Sequence, residues 1–71
     1  MENYVRERRT ELGMTQVDLA KRLGVSRQTV ISIERQRYDP SLPLAFKLAA
    51  ILQTPLEALF TPVDEPTSTT L

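Results

Sequence analysis

Apolar side chains recur along this chain at three- and four-residue intervals, and the recurrence is broken again and again by glycine, proline or a hydroxyl residue. Val5, Arg8, Arg9 and Leu12 keep helical spacing and Gly13 follows as a stop, which predicts a first helix over Glu2–Leu12. Thr15 is the next cap, with Asp18 three positions on as the partner in a capping box; Leu19, Ala20 and Leu23 form the inner face and Gly24 ends the element. Ser26 caps a third helix, Arg27–Arg35, whose inner stripe is Val30 and Ile33. After a loop, Ser41 caps a fourth helix with Pro43 in its first turn, where a missing N–H costs nothing, and Leu44, Leu48, Ile51 and Leu52 make this the most apolar segment. Thr54, Pro55 and Glu57 read as a capping box with proline at the first helical position, opening a short fifth helix through Phe60.

No stretch alternates with period two, so the expected class is all-α, with five helices in one domain over residues 1–60. Residues 61–71, with two prolines, two acids and a Thr/Ser run, read as a flexible or partner-ordered tail. A chain of 71 residues buries only about 60% of its unfolded surface. It has neither cysteine nor histidine, so no disulfide or zinc site supplements the core, and association with a second copy is the natural reinforcement. The usual nucleophile and base pairings are missing, as are a glycine-rich phosphate loop and a carboxylate cluster, so the sequence implies no enzyme, cofactor or metal. With apolar runs of only a few residues, and Glu2 and Asn3 after Met1 in place of a basic region and apolar block, neither a membrane span nor a signal peptide is expected, and the cytoplasm is the expected location.

The formal charge is zero, which on its own argues against nucleic acid, but its distribution changes the picture. Residues 1–38 carry eight Lys/Arg against five acids, whereas Lys47 alone opposes Asp39, Glu57, Asp64 and Glu65 in the remainder. One end of the chain is thus suited to phosphate and the other to a different partner.

The decisive spacing lies between the second and third helices. Only Gly24, Val25 and Ser26 separate them, so the helices must cross steeply, with the small Ala20 where they approach and Gly24 free to take a positive φ. With Val30 and Ile33 inward, about 100° per residue puts Gln28, Ser32 and Arg35 on the outer side of the third helix, Ile31 beside them and Arg27 at the flank. Gln can bond adenine through two atoms, Arg can do the same with guanine, and an apolar side chain can meet the thymine methyl, all in the major groove of duplex DNA.

From Thr15 through Val30, then Ile33-Glu34, Tyr38-Asp39-Pro40-Ser41-Leu42 and on to Leu59-Phe60, the sequence resembles the phage-repressor and Cro-like (Xre-type) helix-turn-helix family. That resemblance implies a five-helix repressor-like domain that binds double-stranded DNA. It implies that Gln16 meets a phosphate, that Ser26, Thr29 and Arg37 join Arg27, Gln28, Ile31, Ser32 and Arg35 at the DNA, and that Arg9 and Glu34 form a structural ion pair. It also places the contact of a homodimer at the C-terminal end, here Leu56, Leu59 and Phe60. One departure is plain: Arg35-Gln36 stands where the family commonly has Asn-Gly, so the path of the following loop is open.

The remaining basic residues, Arg6, Arg8, Lys21 and Arg22, read as solubility charges of which some face phosphate, and Tyr4, Tyr38, Phe46 and Phe60 read as core or interface. The expected function is a small transcriptional regulator, a repressor acting as a homodimer on a palindromic operator; a restriction-modification controller is a narrower variant. The alternative is a protein-interaction module, such as an antitoxin or adaptor, with secondary DNA binding.

Overall fold

The computed structural model describes residues 2–61. Among them the order is β1 (Glu2–Asn3), α1 (Val5–Glu11), α2 (Gln16–Leu23), α3 (Arg27–Glu34), α4 (Leu42–Ile51), α5 (Leu56–Leu59) and β2 (Phe60–Thr61). The expected helical caps are in place where the chemistry is local. Thr15 Oγ1 accepts from the Asp18 N–H while the Asp18 carboxylate accepts from the Thr15 N–H, closing both halves of the box. Ser26 and Ser41 each accept from the backbone three residues on, and Pro43 lies in the first turn of α4.

The helices converge on one core, in which Val5, Leu19, Val30, Ile33, Leu48, Leu52 and Leu59 are fully buried. Met14, Ala20, Leu23, Ala45 and Phe60 complete it. No helix among the described residues is long and apolar enough to cross a membrane.

Three expectations about the chain ends need correction. Helix α1 starts at Val5 instead of Glu2, because Glu2 and Asn3 pair antiparallel with Thr61 and Phe60. This two-stranded ladder lies beside an otherwise helical fold. The capping box proposed for α5 does not form: Pro55 occupies the cap position without a side-chain hydrogen bond. The Thr54 hydroxyl is engaged elsewhere, accepting from Arg8 Nε at 2.7 Å and donating to the Leu52 carbonyl at 2.9 Å. Arg8 is therefore a strut between α1 and the end of α4, since its Nη2 also donates to the Leu52 carbonyl at 3.0 Å.

The third correction concerns Leu59 and Phe60, which the family resemblance put at the contact with a second copy. Leu59 is fully buried and Phe60 nearly so, within the chain itself. The ladder turns Phe60 back toward α1, and the Tyr4 N–H donates to the Leu59 carbonyl at 2.9 Å, which seals the position. Of the three residues only Leu56 retains accessible surface on α5. Tyr4, Tyr38 and Phe46, expected in core or interface, are all exposed. The proposed tail lies outside the described residues, apart from Thr61, which belongs to β2.

Candidate nucleic-acid interface

The site is built around the turn from α2 to α3. Gly24 adopts φ +77°, and the N–H groups of Gly24 and Val25 both bond the Ala20 carbonyl, at 2.9 and 3.1 Å. A side chain at Gly24 would be strained by that left-handed backbone whatever the space around it. The last carbonyl of α2, on Leu23, accepts from Lys47 Nζ at 3.0 Å, so α4 stabilises the C-terminus of the first helix of the pair. Ser26 then starts α3 at once: its Oγ accepts from the Thr29 N–H at 3.1 Å and shares a hydrogen bond with Thr29 Oγ1 at 2.9 Å.

With Val30 and Ile33 buried, α3 turns its polar side outward, and an open cleft runs along each flank. One, of about 370 Å³, is lined by Arg6, Arg9, Gln16, Arg27, Ile31, Glu34 and Arg35. The other, also about 370 Å³, is lined by Ser26, Gln28, Thr29, Ser32, Arg37 and Tyr38. Every residue that the sequence nominates for DNA lies in one of these two walls. Gln28, on the ridge of α3, is exposed, as are Arg27 and Arg35, while Ile31 and Ser32 are half-buried.

At the back of the first cleft Arg9 and Glu34 form the expected ion pair. Arg9 Nε donates to Glu34 Oε2 at 2.6 Å and Nη2 to Oε1 at 3.3 Å, while Nη1 donates to the Met14 carbonyl at 2.8 Å. Gln16 joins them, its Nε2 donating to Glu34 Oε1 at 3.2 Å. One carboxylate thus ties α1, the first turn of α2 and the last turn of α3 together. The second N–H of the Gln16 amide is left for an acceptor outside. Asp18, one turn into α2, has its carboxyl held below its ordinary pKa by the Thr15 N–H and then the Thr15 hydroxyl, with Arg22 and Lys21 adding smaller contributions.

The loop after α3 takes a definite path without the family's glycine. Gln36 itself adopts φ +63°, the left-handed conformation, and its N–H bonds the Ile33 carbonyl at 3.0 Å; the Arg37 N–H bonds the Ser32 carbonyl at 2.9 Å. This brings Arg37 and Tyr38 to the wall of the second cleft.

Two further lining residues were not singled out by sequence reasoning: Tyr38 was read as core or interface, and Arg6 only as one of several basic residues of which some face phosphate. Arg6 lies on α1, outside the helix-turn-helix, and only its spacing of three from Arg9 hinted that the two share a side of that helix.

A family model described as helix-turn-helix matches residues 5–59. The chain belongs to the helix-turn-helix family. Relatives named as HTH-type transcriptional regulators match the chain over three quarters or more of their length. An uncharacterized HTH-type transcriptional regulator of Methanocaldococcus jannaschii is 49% identical over 65 residues, which cover 92% of this chain and 98% of the relative. A second, of Methanothermobacter thermautotrophicus, is 54% identical over 52 residues, or 73% of this chain and 75% of the relative. A bacterial one, of Bacillus subtilis, is 42% identical over 60 residues, covering 84% and 91%. The helix-turn-helix match begins at Val5 and ends at Leu59, so this helix-turn-helix protein carries the terminal ladder at the margins of its family domain.

Proposed function

We propose that this protein represses transcription by binding an approximately palindromic operator as a homodimer, with α3 of each copy in the major groove. That it is a DNA-binding transcriptional regulator rests on its helix-turn-helix family and on relatives named as such regulators. The observation that carries the finer reading is the pair of clefts on either side of α3, with all nine nominated side chains in their walls. In this reading Gln28, Ile31 and Ser32 meet base edges, whereas Gln16, Arg27, Arg35 and Arg37, which line the two clefts, meet backbone phosphates.

Two copies are required because one recognition helix addresses only a few base pairs, too few to single out a site in a genome. A twofold dimer separates its recognition helices by about 34 Å, so the half-site centres should lie about 10–11 base pairs apart. Leu56 on α5 is the residue of the expected contact that keeps surface available for it.

Selection from a random DNA pool tests the reading. It should return a palindrome whose affinity falls at least about tenfold between 50 and 200 mM salt, because each neutralised phosphate releases condensed counterions. Gln28→Ala should then relax the preference at one position per half-site by about 1–3 kcal/mol, whereas Gln16→Ala should weaken all sequences alike. A pool that yields no sequence overturns it.

The second reading, a module for a protein partner, is favoured by one observation. Leu42 and Phe46 are 61% and 55% exposed at i and i+4 on α4, an apolar surface not covered by the rest of the described chain. Under that reading Phe46→Glu abolishes the activity in cells and leaves operator affinity intact.

A further inference from the structure

We infer that the cleft between α1 and α3 is a phosphate site closed by Arg6, so that the first helix, and not only the helix-turn-helix, grips the DNA backbone. The inference rests on the DNA-binding reading and extends it to a residue outside the motif.

The argument is one of charge balance. Four arginines and one carboxylate line this cleft. Glu34 is already committed: it takes two hydrogen bonds from Arg9 and one from Gln16. No hydrogen bond or ion pair among the described residues engages the side chains of Arg6, Arg27 or Arg35. Three guanidiniums therefore face one cleft of about 370 Å³ in which, among the described residues, the one lining carboxylate is already taken up by Arg9 and Gln16. Like charges this close repel, and nothing in the packing of the core calls for them, since Arg6, Arg27 and Arg35 are all exposed.

An anion with several acceptor oxygens resolves the imbalance. The guanidinium fork matches phosphate oxygens in pairs, and Gln16 adds its remaining N–H from the back wall. Arg27 and Arg35 enter from α3, one at each end of that helix, with Ile31 between them as an apolar wall. Arg6 supplies the opposite side from the first turns of α1. Arg9, in the same cleft, is spent on Glu34 and is not part of the phosphate grip. A phosphate held from both walls would set the tilt of the whole domain on the duplex, because α1 and α3 are fixed to each other by that ion pair.

The test compares Arg6→Ala, Arg6→Lys and Arg22→Ala on the selected operator and on unrelated duplex DNA. Arg22 is exposed on α2 and lines neither cleft, so its removal controls for net charge. Arg6→Ala should weaken both duplexes by about five- to tenfold at 100 mM salt, leave the base preference unchanged, and lower the slope of log affinity against log salt by about one per protomer. Arg6→Lys, which keeps the charge but not the fork, should recover most of the slope and only part of the affinity. A thermal melt of each variant should match the parent. Normal binding by Arg6→Ala with an unchanged slope, or an equal loss in Arg22→Ala, overturns the inference while the operator reading stands. If the parent protein itself binds no duplex, both fall together.

Discussion

Arg9 grips both carboxylate oxygens of Glu34 across 25 positions of sequence, at 2.6 and 3.3 Å, with side chains only 12% and 4% exposed. An ion pair so far from water is costly to break from one side, because the remaining charge is left without a partner. Arg9→Ala should therefore cost about 3–5 kcal/mol in a denaturant melt. Replacing both residues together by apolar ones of similar volume should cost clearly less. An Arg9→Ala protein that melts normally yet no longer binds DNA would instead mark Arg9 as a phosphate ligand.

Gln36 holds a left-handed backbone that is strained for any residue with a Cβ, by about 1–2 kcal/mol. Gln36→Gly relieves this strain and gives back about 0.5–1 kcal/mol through the greater freedom of the unfolded chain. The net expectation is a gain of about 0.5–1 kcal/mol, read as a rise of a few degrees in melting temperature. A lower melting temperature would mean that the Gln36 side chain contributes a contact worth more than the strain.

Asp18 gives the acid side of the stability profile a definite sign. Its carboxyl is depressed in the folded chain, chiefly by the Thr15 N–H, so its contribution is fully present above the ordinary aspartate range and is lost as the pH falls through the folded value. Asp18→Asn should flatten that acid limb without altering stability's dependence on pH near neutrality. Thr15→Ala, which removes the other half of the box, should cost about 1 kcal/mol at pH 7. An unchanged acid limb in Asp18→Asn would assign it to other carboxylates.

The caps at Thr15, Ser26 and Ser41 and the turn at Gly24 were legible because each is decided within four residues of chain. The outward side of α3 was legible for a related reason: a helix with two buried positions, Val30 and Ile33, fixes the direction of Gln28, Ile31 and Ser32, whereas Gln16 and Arg37, on other segments, were nominated only through the family resemblance. What stayed hidden is non-local. Two-residue strands cannot display an alternation, so the pairing of Glu2 with Thr61 left no periodic trace. Thr54 looked like a cap until Arg8, 46 positions away, claimed its hydroxyl. Leu59 and Phe60 looked like spare apolar surface for want of that same terminal pairing.

Their burial decides which variant can test the proposed dimer. Leu59→Asp now puts a charge into the core and should unfold the chain, so it reports nothing about association. Leu56→Lys, at a half-buried position of α5, should leave a folded monomer with weakened operator binding, as measured by sedimentation and a gel shift. If the parent sediments as a dimer and Leu56→Lys does the same, the contact lies on another face of the molecule.

The ladder that joins Glu2 to Thr61 also makes the fold nearly a closed ring, because the two margins of the helical domain meet side by side. In a ring the starting point is a matter of convenience. A short linker from Thr61 to Glu2, with a new opening at the exposed Gln53 between α4 and α5, would give the order α5, β2, β1, α1 to α4 and leave every core neighbour and both α3 clefts as they are. The reading head would then stand in the middle of a rewired chain, and a fused partner would leave from the far end of α4 instead of from the clasp.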